Sequence, residues 1–327
     1  MSFKEQVLKT RRIDIGRYKT QIGLIIMFFA ILVLFMVTSP GVFLRPTIYF
    51  AFLSTVPFVG IMGLGLTFVL VSGEIDLSFT SVMALSSYFC AVVFHSTGSL
   101  TLGILSAFVT GIGIGTVNGI LVRKVGIPSI VATIGMMFAV RGCVNVISGG
   151  LGKSLVSLMG NPLHTALAGK IGGYIPAQSV WFLGLTVVMW FILFRHRFGS
   201  HVLFVGDNED AAKMMGVKVD RTKTLVFIIM GLLASFAGLV DSFRLLKWWP
   251  TMGEGYLMTT MATVFVGGTS MLGGEGSILG TFIGAFLIGS LEAGIVAAGL
   301  SGFWTQLIYG LLIVIAVTIH TVVRGRG

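Results

Sequence analysis

The sequence predicts an all-α fold: a polytopic transmembrane helical bundle of about ten spans with broken helices and both termini cytoplasmic. Three observations carry this. First, 55% of the 327 residues are hydrophobic and only 10% charged, about half the charge density that a water-exposed surface needs. Second, apolar runs of about 20 residues, enough to cross a bilayer, recur along the whole chain. Third, the runs are continuous, without the alternation that a membrane β-barrel requires.

Taken in order, the spans fall at approximately 22–39, 47–71, 76–94, 100–122, 127–147, 179–194, 224–245, 256–271, 277–298 and 303–322. Those near 76–94 and 256–271 are short and glycine-interrupted, which leaves broken or re-entrant helices open there. The first run, Ile22 to Val37, is followed by no small-x-small site, so no cleavable signal peptide is expected. The chain divides into a basic N-terminus at 1–21, one transmembrane domain at 22–322 and a short tail at 323–327.

Charge placement tests the count. With an even number of spans, Lys4, Lys9, Arg11, Arg12, Arg17 and Lys19 share one side with Arg123, Lys124, Arg324, Arg326 and the six basic residues of 195–223. That makes 16 of the 22 Lys and Arg, and the positive-inside rule sets this side in the cytoplasm. The net charge of +10 is therefore a topology signal, and nucleic acid is not an expected partner. Glycines recur every fourth residue at 111, 115 and 119 and again at 276, 280 and 284, a spacing that lets membrane helices approach closely. A weaker internal echo matches Val71 through Ser81 to Val266 through Ser277 with a one-residue gap, as in transporters built from duplicated halves.

The polar candidates come with bland counterparts. Glu74 and Asp76 lie between apolar runs in Ser72-Gly-Glu-Ile-Asp-Leu-Ser78; Asp76 suits either helix capping or solute contact. Asn118, Arg141, Asn145, Asp241, Arg244 and Glu292 fall within or near spans. Arg141 with Asn145, and Asp241 with Arg244, share helix faces, so they pair structurally or line a polar path. Trp248 and Trp249, beside Lys247, suit an external face, as interfacial anchors or as a surface for a sugar or partner. Cys90 and Cys143 read as small apolar residues. Gly150-Leu-Gly-Lys-Ser154 lacks the upstream glycine of a phosphate-binding loop, where Ile147 stands. No metal cluster or nucleophile–base pair is evident, so the chain is expected to bind no cofactor and to catalyse nothing by itself.

The polar stretch 195–223 is the one segment that must meet water. Gly206 and Asp207 open a turn with an Asp or Asn as N-cap, Glu209 and Asp210 occupy a first helical turn, and Gly216 supplies a stop. A helix of about 8–10 residues is unstable alone. Its apolar patch, Ala211, Ala212, Met214 and Met215, suits insertion into a partner's groove.

Several motifs together resemble the permease subunits of bacterial ABC sugar importers, the group of ribose, galactose and xylose permeases. They are Gly73-Glu-Ile-Asp-Leu-Ser78, Ile127-Pro-Ser-Ile-Val-Ala-Thr133 with Arg141-Gly142, and Arg197-Phe-Gly199. Collinear with these are Gly206-Asp-Asn-Glu-Asp-Ala-Ala212 with Gly216-Val217, Gly231 to Gly238, and Val266-Gly-Gly-Thr-Ser270 to Ser277. The resemblance implies a second permease copy, a substrate-binding protein outside, and a cytoplasmic ATPase that holds ATP and Mg and receives Gly206–Gly216. It also implies a bacterial plasma (inner) membrane location. Glu74 and Thr80 stand where relatives commonly carry glycine. Tyr256 to Ala262 replaces an acidic stretch, and Lys247-Trp-Trp-Pro250 is unusual. These departures leave a pentose, a sugar alcohol or another small polyol open as cargo, with amino acids or nucleosides as the alternative and an ion-driven secondary transporter as a third.

Overall fold

The computed structural model describes residues 19–324, and the basic N-terminus up to residue 18 lies outside the described residues. Fourteen α-helices make up the described chain. They are α1 (Lys19–Thr38), α2 (Pro40–Phe43), α3 (Pro46–Val71), α4 (Phe79–Thr97), α5 (Leu100–Ile120), α6 (Ser129–Ser148), α7 (Pro162–Ala168) and α8 (Ala177–Arg195). After these come α9 (Arg197–Asp207), α10 (Glu209–Met214), α11 (Val219–Leu245), α12 (Tyr256–Val266), α13 (Ile278–Ala297) and α14 (Gly302–Arg324). A π-helical turn, Leu121–Val125, extends α5. The only strands among the described residues are two short antiparallel pairs, β1 (Lys153–Ser154) with β4 (Lys247–Trp248) and β2 (Lys170–Ile171) with β3 (Ile175–Pro176).

Eight helices are long and apolar enough to cross a membrane, and α14 supplies a further apolar helix. The span expected at 256–271 differs: α12 stops at Val266 after 11 residues, about 16 Å at ~1.5 Å per residue, roughly half a bilayer core. Gly267 and Gly268 end it, Gly268 with a left-handed φ of 87°. The stretch 195–223 is likewise not a loop with one short helix. It holds two helices, and α11 begins four residues before the stretch ends.

Close helix contact follows the glycines. A Cβ on Gly111 would strike Ser235 and the Gly231 carbonyl, and one on Gly115 the Phe227 carbonyl, so α5 and α11 pack backbone to backbone. Gly280 and Gly284 do the same for α13 against α12, meeting the carbonyls of Gly267 and Thr263. Helix α3 is sheathed by α8, α11, α12 and α13, with residues from Phe58 to Val71 almost wholly buried.

The internal echo is structural. Glu74 N donates to the Val69 carbonyl and Gly73 N to Leu70; Thr269 N donates to Val264 and Gly268 N to Phe265. Both helices thus end in the same turn, with Gly73 and Gly268 left-handed. The N-caps of the following helices are Ser78 and Ser277, so the second loop is four residues longer, not one.

Candidate functional site

The bundle end bearing α9 and α10 is called the near end, and the opposite one the far end. At the near end, Asn208 caps α10, its side chain accepting from Ala211 N at 2.9 Å. Gly216, with a φ of 81°, ends the segment. Ala212 packs inward on Val205 and Val219, while Met214 and Met215 are 86% and 66% exposed. The apolar patch is therefore divided between the protein's own packing and a free surface.

What anchors α10 is a chain of charges. Lys223 Nζ donates to Glu74 Oε1 at 2.7 Å and to Glu209 Oε2 at 2.9 Å. Arg123 binds Glu209 Oε1 at 2.7 Å and Asp220 Oδ1 at 2.8 Å, and Lys213 reaches Glu209 Oε1 at 3.0 Å. Partial burial works to raise the Glu209 carboxyl. Hydrogen bonds from Lys223, Lys213 and Arg123, with the charge of Lys223, outweigh that and hold it down at about 2.

Backbone contact reinforces the chain. Gly206 lies between the Val71 carbonyl and Gly274 N, with no room for a Cβ, and Gly274 N itself donates to Val71 O at 2.9 Å. Gly73 sits beside Gly206, and Gly274 beside Asp207. Both echoed loops therefore meet under the start of α10.

The same loop explains Asp76 and Asn118. Asp76, 2% exposed, accepts from the Ser78 amide and hydroxyl, each at 2.7 Å. Asn118 Nδ2 donates to Ser78 Oγ at 2.8 Å. Ile75 N donates to Ser129 Oγ at 3.1 Å and Thr133 Oγ1 to the Ile75 carbonyl. Asp76 therefore makes a turn onto Ser78, the N-cap residue, and does not itself cap α4, whose first turn receives no side-chain cap. Glu74, Asp76 and Asn118 belong to one near-end assembly.

The other path candidates lie elsewhere. Arg141 does not pair with Asn145, which is exposed. Its guanidinium donates to the carbonyls of Pro250 (2.6 Å), Met252 (3.0 Å) and Thr80 (3.2 Å). Asp241 and Arg244 do pair, at 3.1 Å, and Tyr256 Oη donates to Asp241 Oδ2 at 3.4 Å. Glu292 accepts from Tyr309 Oη at 3.2 Å. With Tyr256 and Thr259 it lines a cavity of about 760 Å³ between α3, α12 and α13. The expected external face is corrected at Trp248: the residue is fully buried, its Nε1 donating to the Ala84 carbonyl at 2.9 Å. Trp249 is partly buried. Cys90 is buried but Cys143 is exposed, and Lys153 and Ser154 of the false phosphate loop form a strand. No group of metal-ligating side chains occurs among the described residues.

These features define a polytopic α-helical membrane protein whose extramembrane helix is tied by ion pairs to one interhelical loop and by backbone contact to a second. The chain belongs to the family described as branched-chain amino acid transport system / permease component, whose model matches residues 48–317. It is 33% identical to the ribose import permease protein RbsC of Bacillus subtilis over 96% of this chain and 97% of that one. It is 30% identical to the L-arabinose ABC transporter permease protein AraH of Azospirillum brasilense, over 90% and 86%. Identity to the xylose transport system permease protein XylH of Escherichia coli is 29%, over 91% of each. No solved structure matches the chain.

Proposed function

We propose that this chain is the membrane subunit of an ATP-driven importer for a small sugar or polyol, with a pentose favoured. The near end faces the cytoplasm, where a partner ATPase receives α10. A second permease copy completes the path, and an external binding protein delivers cargo. The observation that carries the reading is the ion chain from Glu209 through Lys223 to Glu74. A helix presenting Met214 and Met215 outward yet fixed to two interhelical loops has the form of a lever between a cytoplasmic partner and the bundle. The three relatives named above are described as permeases for ribose, L-arabinose and xylose, all pentoses. The concentration of basic residues on one side supports the orientation.

The test is reconstitution of the chain with its ATPase and binding protein in liposomes. Uptake of a labelled pentose should require ATP and all three components. Uptake by the chain alone, driven by an ion gradient, would overturn the reading in favour of a secondary transporter.

A further inference from the structure

The segment joining α11 to α12 turns back into the bundle from the far end. After β4, Trp248 packs with its ring 4.8 Å from that of Tyr88, and Arg141 clamps the carbonyls of Pro250 and Met252 beside that of Thr80. Thr80 is the second residue of α4, 17 residues before Thr97 at its far end, so the tip lies about 26 Å along α4 at ~1.5 Å per residue. Ser81, next to it, donates to the Met137 carbonyl, eight residues into α6, about 12 Å from the near end by the same measure. The tip is thus deep within a hydrocarbon core of about 30 Å.

There the chain presents Gly253-Glu254-Gly255. Both glycines are left-handed, at φ 84° and 89°. A Cβ on Gly253 would stand 2.7 Å from the Thr80 carbonyl, which presses the backbone against α4 and turns it into α12. Glu254 is exposed, as is Gly255 after it, while Met252 and Gly253 before it are buried. Its carboxylate makes no side-chain hydrogen bond or ion pair among the described residues. Arg141 is near enough to feel its charge, yet donates to three carbonyls instead. A carboxylate at this depth is costly against lipid and requires an aqueous cavity or a polar partner.

We infer that Glu254 lies on the solute path and is a specificity-determining contact, accepting hydrogen bonds from the hydroxyls of a neutral polyol while Arg141 fixes its loop. This rests on the importer reading above.

The experiment uses the full complex in liposomes. Glu254→Gln should lower saturating pentose uptake about tenfold, the loss of one charge-assisted hydrogen bond. ATPase stimulation by the loaded binding protein should persist, and Glu254→Asp should retain more uptake than the amide. In parallel, Glu254→Cys in a Cys143→Ser background should react with a membrane-impermeant methanethiosulfonate. It should do so at least about tenfold faster than Val109→Cys on the apolar outer face of α5, because only a hydrated thiol ionises. Unchanged uptake in Glu254→Gln, loss of stimulation together with uptake, or labelling as slow as at Val109 would each overturn the inference. If the parent complex shows no ATP-driven uptake, the importer reading fails, while the labelling still decides whether Glu254 faces water.

Discussion

Lys223→Met removes the centre of the near-end ion chain, and the structure sets the size of the effect. The Lys223 and Glu74 side chains are 7% and 10% exposed, and Lys223 Nζ holds Glu74 at 2.7 Å. Glu209 keeps Arg123 and Lys213 when the lysine is lost, so its share of the cost is small. Glu74 has no other ion-pair partner among the described residues, and its carboxylate is left buried and uncompensated. Removing one member of such a pair costs about 3–5 kcal/mol. Replacing both members is far milder, so Glu74→Gln/Lys223→Met should lie within about 1–2 kcal/mol of the parent. Thermal unfolding of the parent, both single variants and the double variant in detergent micelles gives the cycle. A Lys223→Met protein that melts with the parent would refute the reasoning, as would a double variant showing the full sum of the single losses.

Two further outcomes follow from the same region. The Glu209 carboxyl is held at about 2 in the folded protein against an ordinary 4.5. Its charge therefore contributes stability that is complete above about pH 4.5 and is lost as pH falls toward 2. The melting difference between parent and Glu209→Gln should be level from pH 8 to 5 and shrink below that; a difference that shrinks between pH 8 and 6 would count against the network. Gly206→Ala would drive a methyl group into the Val71 carbonyl and Gly274 N. It should cost about 1–3 kcal/mol and abolish ATPase stimulation by the loaded binding protein, and normal stimulation would show that this three-backbone contact is dispensable.

Helix locations were legible because lipid imposes length and continuity on apolar runs, and the α10 cap was legible because capping is local. Asn208, Glu209 and Gly216 occupy the positions that short-range rules assign, whereas Gly206 and Asp207, expected to open a turn, end α9 instead. Helix α10 has six residues where about 8–10 were expected. Long-range pairing was not. Glu74 and Lys223 are 149 residues apart, and nothing in the spacing of either announces the other. The Arg141 clamp was equally hidden, because a guanidinium bound to backbone carbonyls leaves no partner side chain in the sequence. Glu254 escaped notice because a polar segment after a span reads as an external loop. The signal that could have found it is Trp248-Trp249-Pro250 followed by two glycines about a single acid, an apolar lead into a tight turn.

The near-end chain and the Glu254 turn are joined by one rigid element. Helix α12 runs from Tyr256, two residues after Glu254, to Val266, and the loop that follows carries Gly274 against Gly206 and Asp207. Its 11 residues span about 16 Å at ~1.5 Å each, packed along α13 at Gly280 and Gly284 with no gap to absorb a shift. A displacement of α10 bears on the loop after α12, and equally on Glu74 through Lys223. The half-length helix, which length alone would dismiss as a failed span, is what brings the far-end turn within reach of the near-end ion chain: a full span would have begun at the membrane surface and left Glu254 there.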